Sequence, residues 1–426
     1  MGRKNVYAAL GLATLTLFSI GCQKSEEDPV VPSVVEVIPR KLYVASGVCN
    51  SGTGVTTYTL PAGAGAASKV ITKWDATAGT YEGVFLDFNT GSFVAGSGPQ
   101  QLIDDGDYIY AAVENALAIN RAIIKIPKSD PNSYITWYAN ATTLATVLKG
   151  FARDADGSIM IGRSTMIEKI TAAQARATIG AAAWINAPGG NCATSITQMN
   201  AVSILAPLTA AGYTSGKIIF THGNNTAATN RIAIVRDNGY IGLTDCLAGA
   251  QTNLAGHVPA SNRPARVMAF NALGPQPTSM VYIPLATPTA TATGRLIVTY
   301  SAAQVSNSAA GLYNLNHGIV AWDVLEDAVG GVTLTTAPVV LWDDMSVVYG
   351  ASAIAYDSTD SSIYVGVGGE PGVAVAAYST NNVGYNVEKF TYSVSANTLT
   401  RVTVNNRAFI PGNATTKCIS GITVGE

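Results

Sequence analysis

Histidine is nearly missing from this chain. His222, His257 and His317 are the whole supply in 426 residues. None falls in an H-E-x-x-H pattern, so the helix-borne zinc site of metalloproteases is excluded. Isolated histidines at strand ends are more often hydrogen-bonded structural groups than ligands. Charge is thin as well: 12% of residues are Asp, Glu, Lys or Arg, and the formal net charge is −2. No basic surface is left to hold nucleic acid. The five cysteines include no C-x-x-C pair. A G-x-S-x-G elbow and a phosphate-cradling Walker loop are also absent. Beyond the N-terminal segment no apolar run is long enough to span a bilayer.

That N-terminal segment, "MGRKNVYAALGLATLTLFSIGC", has Arg3 and Lys4, an apolar stretch from Val6 to Ile20, and then Gly21-Cys22. These are the charged, apolar and small-residue regions of a secretory signal. Cysteine directly after a small residue resembles the bacterial lipoprotein box, although Ser19 departs from the aliphatic residue usual there. The plainer alternative is ordinary cleavage with Cys22 incidental. The next stretch, "QKSEEDPVVPSVVEVIPR", is acidic and Pro-containing and reads as a disordered tether. The resemblance implies acyl chains on Cys22 as a membrane anchor. Gln23 in place of Asp then points to the outer membrane, on its periplasmic or cell-surface side. The expected division is a signal peptide over 1–21, an acylated tether over 22–40 and a folded domain over 41–426.

Glycine is plentiful, at 42 residues, and short apolar runs alternate with small-residue turns. One run type recurs six times: "KLYVASG" (41–47), "DYIYAAVE" (107–114), "GSIMIGRS" (157–164), "GKIIFTHG" (216–223), "GRLIVTYS" (294–301) and "SSIYVGVG" (361–368). A hairpin follows each, over 70–88, 122–139, 166–185, 231–244, 318–341 and 387–404. Another short strand precedes most of them. The unit is therefore four strands, a-b-c-d, and such units repeated around an axis are the blades of a β-propeller. The expectation is an all-β propeller of six four-stranded blades, with a seventh within 255–290 as the alternative. This rhythm resembles the six-bladed propellers of the NHL and sugar-lactonase kind over about 41–426.

The first unit starts at strand b, and "KCISGITVGE" is left over at the C-terminus. That strand is expected to complete the first blade and close the ring, which removes exposed edges. Cys418 opens this strand, and Cys49 lies just past the end of its antiparallel neighbour. The pairing Cys49–Cys418 follows, and Cys192–Cys246 by elimination.

In such blades the b–c loops emerge on one face and the a–b and c–d turns on the other. The c–d turns are short, whereas several b–c loops are long, and long loops on a rigid scaffold favour recognition. They carry Tyr58, Asn224, Asn225, Tyr313, Asn314, Asn316, Tyr378, Asn381, Asn382 and Tyr385, bordered by His222 and His317. Tyrosine and asparagine suit a glycan or a protein surface, and they are also ordinary residues of neutral exported loops. The acidic stretches "DDGD" (104–107), "DADG" (154–157) and "DSTD" (357–360) read as tight turns rather than calcium loops. The lactonase resemblance implies calcium in the central channel, with Glu82, Glu114, Asp343 and Asp344 as residues to inspect. No catalytic residue stands out. The expected function is an exported binding module for a glycan, cell-surface or envelope protein. A structural subunit of an envelope assembly and a calcium-dependent lactonase-like hydrolase are the alternatives.

Overall fold

All six recurring runs are strands in the structure, a computed structural model. It describes residues 39–47, 69–90, 93, 97–115, 122–139, 148–154, 157–163, 166–176, 199–204, 218–222, 231–236, 245–246, 252–253, 275–302, 318–326, 332–334, 339–344, 347–348, 351–367, 386–411 and 419–426. The first sheet takes β1 (Lys41–Ser46), β2 (Val70–Asp75) and β3 (Tyr81–Asp87). The second runs β4 (Ser97–Asp104), β5 (Tyr108–Asn115), β6 (Ala122–Pro127) and β7 (Ile135–Ala139). The third has β8 (Leu148–Arg153), β9 (Ile159–Arg163) and β10 (Met166–Ile170), followed by the short helix α1 (Ala172–Arg176). The fourth has β11 (Met199–Ile204), β12 (Ile218–His222), β13 (Arg231–Arg236), β14 (Asp245–Cys246) and β15 (Thr252–Asn253). The fifth has β16 (Pro275–Pro284), β17 (Gly294–Ala302), β18 (Gly318–Glu326), β19 (Val332–Leu334) and β20 (Val339–Trp342). The sixth has β21 (Ala351–Asp357), β22 (Ser362–Val367), β23 (Val387–Ser393) and β24 (Thr398–Val402). The last strand, β25 (Ile419–Gly425), returns to the first sheet, whose order is β25-β1-β2-β3.

The first strands of successive sheets adjoin in the cyclic order β25, β4, β8, β11, β16, β21 and back to β25. Antiparallel sheets repeated around a closed ring of inner strands make this an all-β β-propeller. Four of the sheets, those of β25-β1-β2-β3, β4–β7, β16–β20 and β21–β24, carry a full run of inner-to-outer strands. Six complete blades were expected, and four are complete and described with their side chains. The sheet β8-β9-β10 has three strands, and the sheet of β11–β15 is described by its backbone. The fourth strand expected in the third unit lies outside the described residues. The expected turn after β10 is α1, because "TAAQARA" is rich in helix formers. Thr171 and Gln174 also close a capping box across its start: the Thr171 amide donates to Gln174 Oε1 at 3.0 Å, and the Gln174 amide to Thr171 Oγ1 at 3.4 Å. Within the span kept for a seventh unit, residues 275–284 are β16, the inner strand of the fifth sheet.

Neighbouring blades share cores because each sheet is apolar on both faces. Leu42, Val44 and Trp74 of the first sheet pack against Ala353, Tyr364 and Val387 of the sixth, with Ile419 and Ile422 between them. On the other side Tyr43, Ala45 and Ile71 pack against Leu102, Ile109 and Ile124 of the second sheet. Tyr110, Ile123 and Trp137 continue to Phe151, Ile159 and Ile161 of the third. Ile297, Ile319 and Leu341 of the fifth meet Ile354, Ile363 and Phe390 of the sixth. Each fully buried Ile, Leu or Val contributes about 1.5–3 kcal/mol of transfer free energy, so these interfaces hold the ring together.

β25 pairs antiparallel with β1, from Lys41↔Gly425 to Ser46↔Ile419. Both neighbouring blades also grip it. Ser352 Oγ donates to the Ile419 carbonyl at 2.5 Å, and Ser420 Oγ to the Pro99 carbonyl at 2.7 Å. The Asp104 amide donates to Thr423 Oγ1 at 3.1 Å. Gly421 lets β25 lie against β4: a Cβ there would fall 2.6 Å from the Gln100 carbonyl oxygen and 2.8 Å from Gln101 Cα.

Candidate functional site

The inner strands β4, β8, β21 and β25 bring their C-terminal residues to one end of the ring. The a–b turn after β4 and the c–d turn after β6 meet them there. Together they enclose a cavity of ≈ 1020 Å³. Its walls come from Leu102–Asp104 with Gly106–Tyr108, Pro127–Ser129, Arg153, Val281, Ile354–Tyr356, Ile422–Glu426 and Arg40.

The turn chemistry of "DDGD" is as its residues suggest. Asp104 Oδ1 accepts from the Gly106 amide at 3.1 Å, and Gly106 sits at φ 68°, where a side chain would be strained. The other Asp104 oxygen does something more. It meets Lys128 Nζ at 2.6 Å, an ion-pair contact without hydrogen-bond alignment. Lys128 Nζ also donates to the Glu426 carbonyl at 2.8 Å. Burial pushes the Asp104 carboxyl above its ordinary value, and Lys128 and the Gly106 amide offset this only in part. Gly425 leaves room for this carboxylate, since a Cβ there would lie 2.1 Å from Asp104 Oδ2.

A second ion pair closes the far wall. Arg40 forks onto Asp357, Nε to Oδ2 at 3.2 Å and Nη2 to Oδ1 at 3.0 Å, and its Nη1 lies 4.0 Å from Glu426 Oε1. Burial pushes the Asp357 carboxyl up. The Thr359 amide and the Arg40 guanidinium outweigh that and hold it below its ordinary value. Arg153 Nη2 meets Asp105 Oδ1 at 2.5 Å. Tyr108 lies under Lys125 Nζ, which sits 4.0 Å from the ring centroid. Behind the wall, burial and then the Asp104 and Glu82 charges push the Tyr43 phenol up to about 12.

None of the site residues expected from sequence is among the described residues that line this cavity. Cys22, Cys49, Cys192, Cys418, Asn224, Asn225, Tyr313, Asn316, His317, Tyr378 and Tyr385 lie outside the described residues, as do Tyr58, His257, Asn314, Asn381 and Asn382. His222 and Cys246 are described by their backbone alone, ending β12 and β14. No cysteine side chain is among the described residues. Glu82, weighed as a calcium ligand, sits on the outer strand β3 and pairs with Lys41 and Lys73. Asp343 and Asp344 are exposed in a turn, where the Asp344 carbonyl accepts from Trp342 Nε1 at 3.1 Å. Glu114 lies in β5, described by its backbone. Glu82 therefore lies at the outer edge of its sheet, away from the inner strands. Among the described residues no group of three or more His, Cys, Asp or Glu is placed to hold a metal ion. In "DADG", Asp154 and Gly157 form a turn, the Gly157 amide donating to the Asp154 carbonyl at 2.9 Å. In "DSTD", Asp360 pairs with Lys389 at 3.2 Å.

Sequence reasoning missed Arg40, Lys128 and Arg153. Lys128 lies in a short c–d turn of the kind expected merely to connect. One signal was available: in a chain with 12% charged residues, "DDGD", "PKSD" and "FARD" put charges on turns of one face.

No family model matches the chain, and no curated protein matches it. Solved structures do. The periplasmic gluconolactonase PpgL of Pseudomonas aeruginosa is 10% identical with a TM-score of 0.42, covering 88% of this chain and 98% of that one. A protein of unknown function from Bacteroides caccae is 8% identical with a TM-score of 0.42, covering 91% and 99%. Hydrazine synthase of Kuenenia stuttgartiensis is 10% identical with a TM-score of 0.38, covering 79% and 90%. Likeness of this degree carries no argument about what this chain binds or does.

Proposed function

We propose that this chain is an exported recognition module that binds a polar ligand, a glycan or an envelope protein, without transforming it. The acyl anchor on Cys22 would hold it to the outer membrane, facing the periplasm or the cell surface. We read the ring as six blades, because six inner strands adjoin in one cycle. The observation carrying the binding reading is the cavity at the turn end. Asp104, Asp105 and Asp357 are each held by a cation, and Glu426 lies near Arg40. Asp107 is the one lining carboxylate without an ion-pair partner among the described residues, and a single free carboxylate lacks the second group that returns the proton in acid–base catalysis. Charges fixed against each other instead offer preorganised donors and acceptors, which favours binding. No metal or organic cofactor is part of this reading.

A second binding face is the b–c loop side, favoured by loop length. There His222, Asn224, Asn225, Tyr313, Asn316, His317, Tyr378 and Tyr385 would supply amide, imidazole and phenol groups. A screen of the full-length chain against glycans and envelope proteins tests the module as a whole. Asp107→Ala, at the cavity, is then compared with Tyr378→Ala plus Tyr385→Ala, on the loops. Loss of binding in Asp107→Ala alone places the ligand at the turn end; loss in the loop variant alone places it on the other face. A full screen without a binder would sink the recognition reading.

A further inference from the structure

The cavity's charges are not all equally committed. Arg40 is spent on Asp357 and Glu426, and Lys128 on Asp104 and the Glu426 carbonyl. Arg153 is different. Its side chain is 39% exposed, against 27% for Arg40 and 13% for Lys128. Asp105 engages it through Nη2, and a guanidinium has five donors in a planar fork that matches a carboxylate. Asp107 lines the same cavity, is exposed, and has no ion-pair partner among the described residues. Two half-buried phenols, Tyr108 and Tyr356, stand on the walls.

Of the apolar wall residues, Leu102, Ile354 and Ile422 are buried, at 4%, 6% and 5% exposed, and Ile103, Val281 and Val424 are half-buried. A guanidinium, a lone carboxylate and two tyrosine rings suit a ligand with one negative charge, several hydroxyls and a flat ring face. Asp107 would accept hydroxyl donors, and it would repel a densely charged polyanion. The ≈ 1020 Å³ volume lies at the upper end of ordinary ligand pockets, about 300–1,000 Å³. It is a space for a short chain of sugars rather than for the surface of a folded partner.

We infer that the turn-end cavity binds a saccharide bearing a carboxylate, with Arg153 holding the carboxylate and Asp107 the hydroxyls. This deepens the recognition reading and rests on it. The test is calorimetric titration of the full-length chain with an aldotetraouronic acid, one uronate on a short neutral sugar chain, and with its methyl ester. The acid is expected to bind at least about tenfold tighter, the scale of one charge-assisted hydrogen bond. Arg153→Gln should erase that preference with an unchanged melting curve. Asp105→Asn, which releases the guanidinium from its own partner, should tighten the acid. Equal binding of acid and ester would overturn the assignment, as would a preference that survives Arg153→Gln. If neither sugar binds while another glycan or a protein does, this assignment falls and the recognition reading stands. If nothing binds, both fall.

Discussion

The blade β21–β24 and the blade closed by β25 solve the same problem from opposite starting points. In the first, four strands follow one another within residues 351–402, so each hairpin brings its own partner. In the second, the inner strand arrives from the far end of the chain: Ser420 and Ala45, joined by a 3.3 Å hydrogen bond, are 375 residues apart. Long-range closure carries a larger entropy cost, and the seam carries extra fastenings to match. Its strand takes hydrogen bonds from Ser352 on one side and gives or takes them at Pro99 and Asp104 on the other.

The two regions also differ in what a buried arginine–carboxylate pair does. Arg40–Asp357 spans the seam, and Arg401–Glu388 lies within the local blade, with contacts of 2.8 Å and 3.0 Å. Both carboxylates are buried, at 2% and 1%. Yet Asp357 is held below its ordinary pKa, whereas burial keeps Glu388 above its own despite Arg401 and Asn386. The Thr359 amide, added to a forked arginine, tips Asp357 toward its charged form. The seam pair thus favours the folded ring at neutral pH, while in the local pair burial opposes the ionisation of Glu388 more than Arg401 assists it.

Breaking the seam outright should have the largest effect. A chain ending at residue 418, without β25, is expected to lose cooperative thermal unfolding by circular dichroism. Gly421→Ala keeps the strand but drives a Cβ into the β4 backbone. It should lower stability by about 3 kcal/mol in urea denaturation, as overpacking against main chain does. Arg40→Ala strands the buried Asp357 and should cost about 3 kcal/mol. Replacing Arg401 and Glu388 together by Met and Leu should cost less, about 1 kcal/mol, because no charge is orphaned and only the buried Asn386 amide loses its carboxylate acceptor.

Acid sharpens the contrast further. Asp357 has a lowered folded pKa, so its contribution is present above the unfolded value of about 4 and lost as pH falls through the folded one. Asp104 and Glu388 have raised folded pKa values. Their contribution is complete below about 4 and lost as pH rises through the folded values. Asp357→Asn should therefore flatten the stability loss below about pH 4, and Asp104→Asn the change just above it. The smallest effect is expected at Glu82→Gln on the outer strand β3. Its pairs with Lys41 and Lys73 are partly exposed, and less than about 0.5 kcal/mol should separate the two melting curves.

Much of the fold was readable because strand b of each unit is a dense β-branched or aromatic run, as in β1, β5, β17 and β22. The leftover "KCISGITVGE" pointed to its partner by simple counting, and β25 lies on β1. The helix after β10 was missed because a Thr-x-x-Gln cap inside an alanine-rich stretch was read as a polar turn. The cavity was harder to foresee. Asp104 satisfies a turn with one oxygen, and nothing local announces that the other reaches Lys128. Arg40 and Asp357 are 317 residues apart, so their pairing exists only once the ring is closed.

Native-state hydrogen exchange on the full-length chain tests that closure most directly. The amides of β25 should be as protected as those of β21 and exchange only with global unfolding. Exchange of β25 and its partner β1 while β21–β24 stays protected would contradict a ring fastened at its seam.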